Sequence, residues 1–368
     1  MRIPKLGARE ILISAVFTVI IGGFLVLNLV LPSPDILEAE RRIPAKFPEL
    51  SFGAIASGSF MSRFDDYAAD RFAFRDVFRG INSFMVFDIY MQRDMSGLYR
   101  SRNIGLGEFR PLNESAFRLS AQKVYNAAQI FDGLNMNVYY SLIPDKSIYA
   151  EFYMPGFDLS LAETILHDVL SEYSYIRISD ILAADDFYRT DLHWDQSRIT
   201  GIADHLLLSM DAQPVSGNNR SSEAGDFYGL YAGQIALPVE ADILAYANIP
   251  GLRVSYLNER TLEFESGPVY DHERFAGVDP YDIFLRGPQP LIVLENDEAP
   301  DRELYLFRDS FGSSLAPLLA GSYSKVTLID LRYINLMLLE MFIDFIPGSD
   351  VLFIYGSQIF NNPSVLQA

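Results

Sequence analysis

The chain has 368 residues, of which 49% are hydrophobic, enough to bury the core of one large domain or two modest ones. Its formal net charge of −19 argues against nucleic acid as a partner, because nucleic-acid binding needs basic patches that displace counterions. The same charge disfavours docking on anionic polymers or lipid headgroups. The chain has no cysteine, which excludes disulfides and thiol chemistry but says little about its compartment.

The amino terminus predicts a membrane anchor. Arg2, Lys5 and Arg9 precede an uncharged run over residues 11–31. At about 1.5 Å per residue this run spans about 31 Å as a helix, close to the bilayer core of about 30 Å. The basic side is expected to stay cytoplasmic, so residues 1–10 form a cytoplasmic tail and everything after Pro32 lies outside. A cleaved signal peptide is the alternative, although the run lacks a small-residue cleavage site. A buried core helix would not explain the basic flank.

Residues 32–90 are predicted to form a stalk and amphipathic helices. The stretch from Pro32 to Pro48 is polar and has spaced prolines. One helix is indicated by aromatic residues at i, i+4 and i+7, namely Phe60, Phe64 and Tyr67. A second apolar set consists of Phe78, Ile81, Phe84 and Phe87. These side chains are expected to pack onto the main domain, and a carbohydrate-binding or partner-binding surface is the less favoured use.

Residues 91–368 alternate between helix and strand patterns, which predicts an α/β domain with a doubly wound, mostly parallel sheet. The predicted strands cover residues 137–143, 175–179, 303–307, 326–331 and 351–355. The predicted helices lie near residues 115–131, 159–172, 198–210, 313–320 and 334–345. Residues 212–300, which include the polar stretch 216–222, break the alternation and predict an irregular, partly β insertion. No P-loop, dinucleotide fingerprint, zinc spacing or calcium loop is present, so no cofactor is predicted.

Ser310 is a candidate nucleophile because it stands between a predicted buried strand and an apolar helix. This position is the carboxyl edge of the sheet, where open α/β folds bind ligands. The N–H groups at a helix start also favour a developing oxyanion, here through Ser310 and a second donor within residues 311–314. Taken alone, the stretch reads more simply as a β–α turn, since turns are rich in Ser and Gly.

Asp191 and His193 supply the other two parts of a nucleophilic triad. Two residues apart on extended backbone, they project to the same side, so the carboxylate can orient the imidazole as a general base. A structural histidine is the alternative. Of the four histidines, however, only His193 has a carboxylate at this spacing beside Trp194, the sole tryptophan. Asp309 is a rival for the triad acid, but next to Ser310 it should point away.

Four stretches together resemble the DHHW proteins of Gram-positive bacteria, relatives of the alginate O-acetylation proteins with an SGNH-hydrolase-like domain. They are TDLHW at 190–194, FRDSFGSSLAPLL at 307–319, DLRYI at 330–334 and IPDK at 143–146. The resemblance extends over residues 47–362 and implies a catalytic triad of Ser310, His193 and Asp191. Two residues depart from the family pattern. Leu192 stands where the DHHW motif, which gives the family its name, has His, and Arg308 stands where the Gly-Asp-Ser motif of the SGNH family has Gly. The nucleophile follows the Asp–x–His motif, the reverse of the usual SGNH order, which fits a circular permutation.

This resemblance implies a membrane-anchored O-acetyltransferase that modifies an extracellular polysaccharide, with a membrane-embedded acyltransferase as the acetyl donor. A deacetylating esterase with the same triad and a non-catalytic scaffold in an exopolysaccharide assembly complex are the alternatives. Further residues that could contact substrate are Lys146, Arg308, Trp194, Arg332 and Tyr333. For Lys146 a surface turn is an equally good interpretation, and for Arg308, Arg332 and Tyr333 a surface ion pair or a packing contact is.

Overall fold

A computed structural model describes residues 7–151, 156–215 and 220–368, which form two compact units. The first unit contains the described residues up to Met91 together with Gly233–Leu237, and the second contains the remainder. Arg2, Lys5 and most of the polar stretch at 216–222 lie outside the described residues.

The described part of the first unit contains four α-helices. They are α1 Ala8–Val30, α2 Phe52–Ala56, α3 Ser59–Asp70 and α4 Arg75–Phe84, which continues into a π-helical turn at Met85–Ile89. The predicted apolar helix is present as α1, with a mean hydropathy of 2.4 over its most apolar window. By length and composition it is a candidate membrane anchor or signal sequence.

The two predicted apolar sets of this unit have different surroundings. The ring of Phe47 lies edge-on to Phe60, Phe64 and Tyr67 of α3, with centroids 5.2–6.4 Å apart. The side chains of α4 at Phe78, Ile81 and Phe84 are instead 44–53% exposed. Phe87, the last member of this set, is buried.

The second unit is built on strands and helices that largely follow the predicted alternation. Its strands are β1 Asp94–Met95, β2 Leu98–Ser101, β3 Gly105–Glu108, β4 Asn137–Ile143, β5 Ser174–Tyr175, β6 Arg220–Phe227, β7 Asp242–Asn248, β8 Leu252–Leu257, β9 Phe264–Gly267, β10 Leu291–Asn296, β11 Glu303–Arg308, β12 Lys325–Ile329 and β13 Asp350–Gly356. The α-helices after residue 91 are α5 Glu114–Ala128, α6 Leu159–Val169, α7 Thr200–Ser209, α8 Leu230–Ile235, α9 His272–Phe275, α10 Phe311–Leu319 and α11 Ser357–Phe360.

The main sheet has eight strands in the order β5-β4-β13-β11-β12-β10-β8-β9. The first five are mutually parallel, whereas β10, β8 and β9 join antiparallel. The predicted mostly parallel sheet is thus confirmed. The segment at 212–300 is partly β as predicted, but three of its strands extend the main sheet rather than forming a separate insertion.

Both faces of the sheet are buried. Along β11, Leu304 and Leu306 face a core that includes residues of α7 and α10, while Tyr305 and Phe307 face a core with residues of α5, α6 and α11. This two-residue alternation between two cores is what a doubly wound sheet requires.

One predicted helix is wrong. Residues 334–345 contain a short 3₁₀ segment, Leu336–Met341, instead of an α-helix. Its apolar residues are not confined to the positions of one helical face, so the run has no stripe of helical period to bury. Only Ile334, Leu339 and Ile343 are buried, and Met337 and Met341 are exposed.

Candidate active site

Ser310 lies at the carboxyl end of β11, immediately before α10. Because β11 is parallel to its neighbours β12 and β13, the carboxyl ends of three strands meet at this edge. The serine is half-buried while the strand before it is buried. Its hydroxyl therefore stands at the sheet edge where open α/β folds present ligand sites.

The structure brings the three predicted residues together. The Nε2 of His193 lies 2.8 Å from the Oγ of Ser310. The Nδ1 of the same ring lies 2.6 Å from the Oδ1 of Asp191. With Nδ1 donating to the carboxylate, Nε2 is free to accept the proton of the serine hydroxyl. The two segments are far apart in sequence but form one continuous chain of hydrogen bonds.

The carboxylate of Asp191 is held by backbone groups as well as by the imidazole. The backbone N–H of His193 donates to its Oδ1 at 3.1 Å, and that of Leu230 donates to its Oδ2 at 2.8 Å. Asp191 is fully buried, so these donors replace the water that would otherwise solvate the charge. They also fix the orientation in which the carboxylate meets the ring.

The buried side chain of Lys146 contacts the loop that carries Asp191. Its Nζ donates to the backbone oxygens of Tyr188 at 2.9 Å and of Asp191 at 2.8 Å, and the residue is only 3% exposed. The surface-turn interpretation is therefore wrong, and a direct substrate contact would need the buried amine to be uncovered. What the ammonium does is fix the backbone that carries the triad acid.

Burial lowers the pKa of Lys146 to about 8, although nearby carboxylates, Asp191 first among them, oppose the shift. The unfolded chain therefore binds more protons than the folded chain between about pH 8 and 10.5, so stability rises with pH there. We expect a gain of about 1–2 kcal/mol in unfolding free energy between pH values of about 8 and 9.5. Denaturant titrations of the wild type and of Lys146→Met test this. The rise should be smaller by that amount in the variant, and equal slopes would contradict it.

Tyr281 packs on the imidazole and was not predicted from the sequence. Its ring stacks on that of His193 with centroids 3.8 Å apart and planes 10° apart. Its hydroxyl donates to the Oγ of Ser314 in α10 at 2.8 Å. It lies in a 3₁₀ turn, Pro280–Ile283, within the segment that lacked a clear pattern. No periodicity or motif marks such a residue, because its role depends on a contact across the fold.

Removing the Tyr281 ring should slow turnover more than removing its hydroxyl. A ring stacked on an imidazole that becomes positively charged stabilises that charge by about 0.5–2 kcal/mol. We expect Tyr281→Leu to lower kcat by about tenfold with little change in KM, since the ring acts through His193. Tyr281→Phe keeps the stack and is the matched control. Equal losses in the two variants would show that the hydroxyl matters and the stack does not.

The two neighbours of His193 in the name motif point into the protein. Leu192 is half-buried against the core, so the departure from His at this position leaves the triad geometry intact. Trp194 is 0% exposed, and its Nε1 donates to the Oγ of Ser314 at 2.8 Å. A direct substrate contact by Trp194 is therefore wrong, because its indole is sealed beneath α10.

Arg308 and Arg332 share one buried carboxylate. Arg308 is 1% exposed, and its Nη1 donates to the Oγ of Ser313 at 3.0 Å and lies 3.5 Å from the Oδ2 of Asp330. Arg332 makes two hydrogen bonds to Asp330, at 2.8 and 2.6 Å. Burial lowers the pKa of Arg308. Both guanidinium groups are thus used in joining the turns after β11 and β12, which favours their structural interpretation.

Tyr333 is the one member of the predicted contact set that is exposed, at 46%. The guanidinium of Arg332 lies over its ring at 5.3 Å. Its ring remains accessible to a substrate.

Asp309 has a different partnership from Asp191. Its carboxylate accepts from the backbone N–H of Phe311 at 3.0 Å and from that of Gly356 at 2.7 Å. It therefore ties the nucleophile turn to the end of β13. The imidazole nitrogen that needs an acidic partner already has one in Asp191.

The turn after the nucleophile offers fewer oxyanion donors than the sequence suggests. The N–H of Phe311 donates to the carboxylate of Asp309, that of Gly312 to the Asp309 carbonyl, and that of Ser313 to the Ser310 carbonyl. Three of the four N–H groups in the predicted range 311–314 therefore already have acceptors in this conformation. The N–H of Ser310 itself remains the first candidate.

Solved structures with a similar fold include a DHHW family protein from Eubacterium siraeum, with a TM-score of 0.54 and 19% identity over 73% of this chain and 90% of that one. PatB1 from Bacillus cereus, solved with a sulfonyl adduct, matches with a TM-score of 0.55 and 13% identity over 73% of this chain and 97% of its own. The O-acetyltransferase domain of Pseudomonas putida AlgJ matches at a TM-score of 0.43 and 12% identity, covering 72% and 92%.

No family model matches the sequence, and no curated protein matches it. The structural relation to a DHHW family protein that the motifs predicted is confirmed at the level of the fold.

Proposed function

We propose that this chain is an extracytoplasmic O-acetyltransferase, anchored by α1, that modifies a cell-surface or exported polysaccharide through an acyl-enzyme on Ser310. The observation that carries the proposal is the chain of contacts from Ser310 through His193 to Asp191, at 2.8 and 2.6 Å. These are the distances and the order of groups that an activated serine nucleophile needs. That the transferred group is acetyl and the acceptor is a polysaccharide is inferred from the motifs that resemble those of the DHHW and alginate O-acetylation proteins.

The first half-reaction forms the acyl-enzyme. The Oγ of Ser310 attacks the acetyl carbonyl of the donor while Nε2 of His193 takes the serine proton. Asp191 stabilises the imidazolium that results, and the Ser310 N–H is available to the oxyanion. His193 then returns the proton to the leaving group, which departs as the acetyl ester on Ser310 forms.

The second half-reaction runs the same steps with a sugar hydroxyl as the attacking group. His193 accepts the hydroxyl proton, the sugar oxygen attacks the acetyl carbonyl, and Ser310 regains its proton as it leaves. Water in place of the sugar gives an esterase. The exposed ring of Tyr333 is proposed as part of the acceptor surface, because an aromatic face packs well on a sugar ring.

Three further parts of the proposal rest on the family resemblance or on the sequence pattern. By the resemblance alone, a membrane-embedded acyltransferase acts as the acetyl donor. The helix α1 is retained as a single-pass anchor with the second unit outside the cell, a cleaved signal being the alternative. The late position of the nucleophile reflects a circularly permuted SGNH-type domain.

The full-length protein in detergent, given a chromogenic acetyl ester with and without an oligosaccharide acceptor, tests the proposed activity. Acetyl on the sugar supports transfer. Release of acetate alone, dependent on Ser310, supports the esterase. If no activity depends on Ser310, the non-catalytic scaffold is the remaining alternative. A sulfonyl reagent is a second probe, since such reagents react with activated nucleophiles and one is present as an adduct in PatB1.

A further inference from the structure

Helix α4 of the first unit exposes its apolar face, whereas Arg75, Arg79 and Ser83 on the opposite face contact other residues of the unit. Four apolar side chains within α4 recur at i, i+1, i+4 and i+7, the spacing of one helix face, a fifth stands just before the helix, and each of the five is 44–59% exposed. They are Phe74, Val77, Phe78, Ile81 and Phe84, and we call them the α4 stripe. A helix of a water-soluble protein normally shows the opposite arrangement, with the apolar stripe against the core.

The opposite face of α4 is occupied by hydrogen bonds and ion pairs. The carboxylate of Glu40 forms ion pairs with Arg75 at 2.6 Å and with Arg79 at 2.8 Å. The hydroxyl of Ser83 donates to the backbone oxygen of Ile235. A Cβ added at Gly80 would lie 2.6 Å from the backbone oxygen of Ala236, so the backbones approach closely there. The helix therefore cannot rotate its apolar stripe inward without breaking these contacts.

The α4 stripe is continuous with the apolar helix α1. The ring of Phe24 stacks on Phe72 with centroids 5.5 Å apart and lies 5.7 Å from the ring of Phe78 in the stripe. The side-chain oxygen of Asn28 accepts the backbone N–H of Ala73, just before α4, at 2.7 Å. Phe24 lies six residues before the end of α1 at Val30, which is about 9 Å along a helix.

We propose that α4 lies flat in the outer leaflet of the membrane that α1 crosses, with the α4 stripe in contact with lipid acyl chains. The depth of about 9 Å at Phe24 matches the depth of about 5–10 Å at which interfacial helices bury their apolar face. The proposal depends on α1 being a retained anchor. The stripe contains no basic residue and the chain is acidic, so the contact is with acyl chains and needs no anionic headgroup.

The chain has no cysteine, so single cysteines can carry a fluorescent probe at chosen positions in the full-length protein. Ile81→Cys tests the α4 stripe, Asp76→Cys is the control on the same helix away from the stripe, and Val19→Cys reports on α1. Each labelled protein is reconstituted into phosphatidylcholine vesicles whose acyl chains carry bromine, a quencher that acts on contact. Thermal unfolding midpoints equal to that of the wild type establish that each variant is folded.

We expect the probes at 81 and 19 to lose fluorescence to the brominated lipid, while the probe at 76 keeps its fluorescence and is quenched by iodide in the water. Adding an anionic lipid should leave the loss at 81 unchanged. Quenching at 19 without quenching at 81 would overturn the proposal while leaving the anchor intact. If the probe at 81 is then also shielded from iodide, another part of the protein covers the stripe. No quenching at either position would overturn the anchor and the proposal together.

Discussion

Replacing Ser310 with alanine should lower kcat/KM for an acetyl ester by about 10⁴-fold or more, because the variant has no atom to carry the acetyl group. The Oγ of this serine lies 2.8 Å from the Nε2 of His193, its general base. Only background hydrolysis by the remaining site should persist. The measurement is the initial rate of acetate release by the full-length protein in detergent.

Ser324→Ala is a matched control for this loss. Ser324 lies just before β12, at the amino edge of the sheet, and its hydroxyl donates to the backbone oxygen of Arg302 at 3.0 Å. Its removal should leave the rate almost unchanged. A Ser310→Ala protein that keeps near-normal activity and an unchanged unfolding midpoint would contradict the acyl-enzyme.

Exchanging each of two buried aspartates for asparagine should separate catalysis from folding. Asp191→Asn places an amide opposite the Nδ1 of His193 and favours the tautomer that cannot accept the serine proton, so we expect kcat to fall by about 10⁴-fold. Asp309→Asn weakens the bonds to the backbone N–H groups of Phe311 and Gly356. Its main effect should be a loss of about 1–3 kcal/mol of stability.

Two measurements on both variants distinguish these effects, kcat with a chromogenic ester and the free energy of unfolding in denaturant. Burial raises the pKa of Asp309, so the neutral asparagine is a closer substitute there than at Asp191, whose carboxylate accepts the hydrogen bond from the imidazole. If Asp309→Asn is the more damaging to turnover while it remains folded, Asp191 is not the triad acid. Asp309 would then have to be the acidic partner of His193.

The sequence predicted those parts of the molecule that local pattern determines. Strand β4 was predicted at 137–143 and has those bounds, because a β-rich run ends there at Pro144. The pairing of Asp191 with His193 follows from their spacing on extended backbone, and the position of Ser310 follows from the strand and helix around it.

The rest of the site depends on contacts between distant segments. Tyr281 stacks on His193 from a turn whose sequence carries no distinguishing pattern. The N–H of Leu230 reaches Asp191, and the ammonium of Lys146 reaches the same loop, only because the sheet brings these segments together. Likewise, hydrophobic periodicity could not show that β8, β9 and β10 join the main sheet, since strand pairing is a tertiary property.

Peptide mass spectrometry after an acid quench tests covalent catalysis most directly. The full-length protein is mixed with the chromogenic acetyl ester, stopped within the first turnovers and digested. We predict acetyl on the peptide that contains Ser310 in the wild type, and its absence in His193→Ala, whose serine lacks a base. Turnover without acetyl on this peptide at any quench time, or acetylation of Ser310 that persists unchanged without His193, would contradict the proposed mechanism.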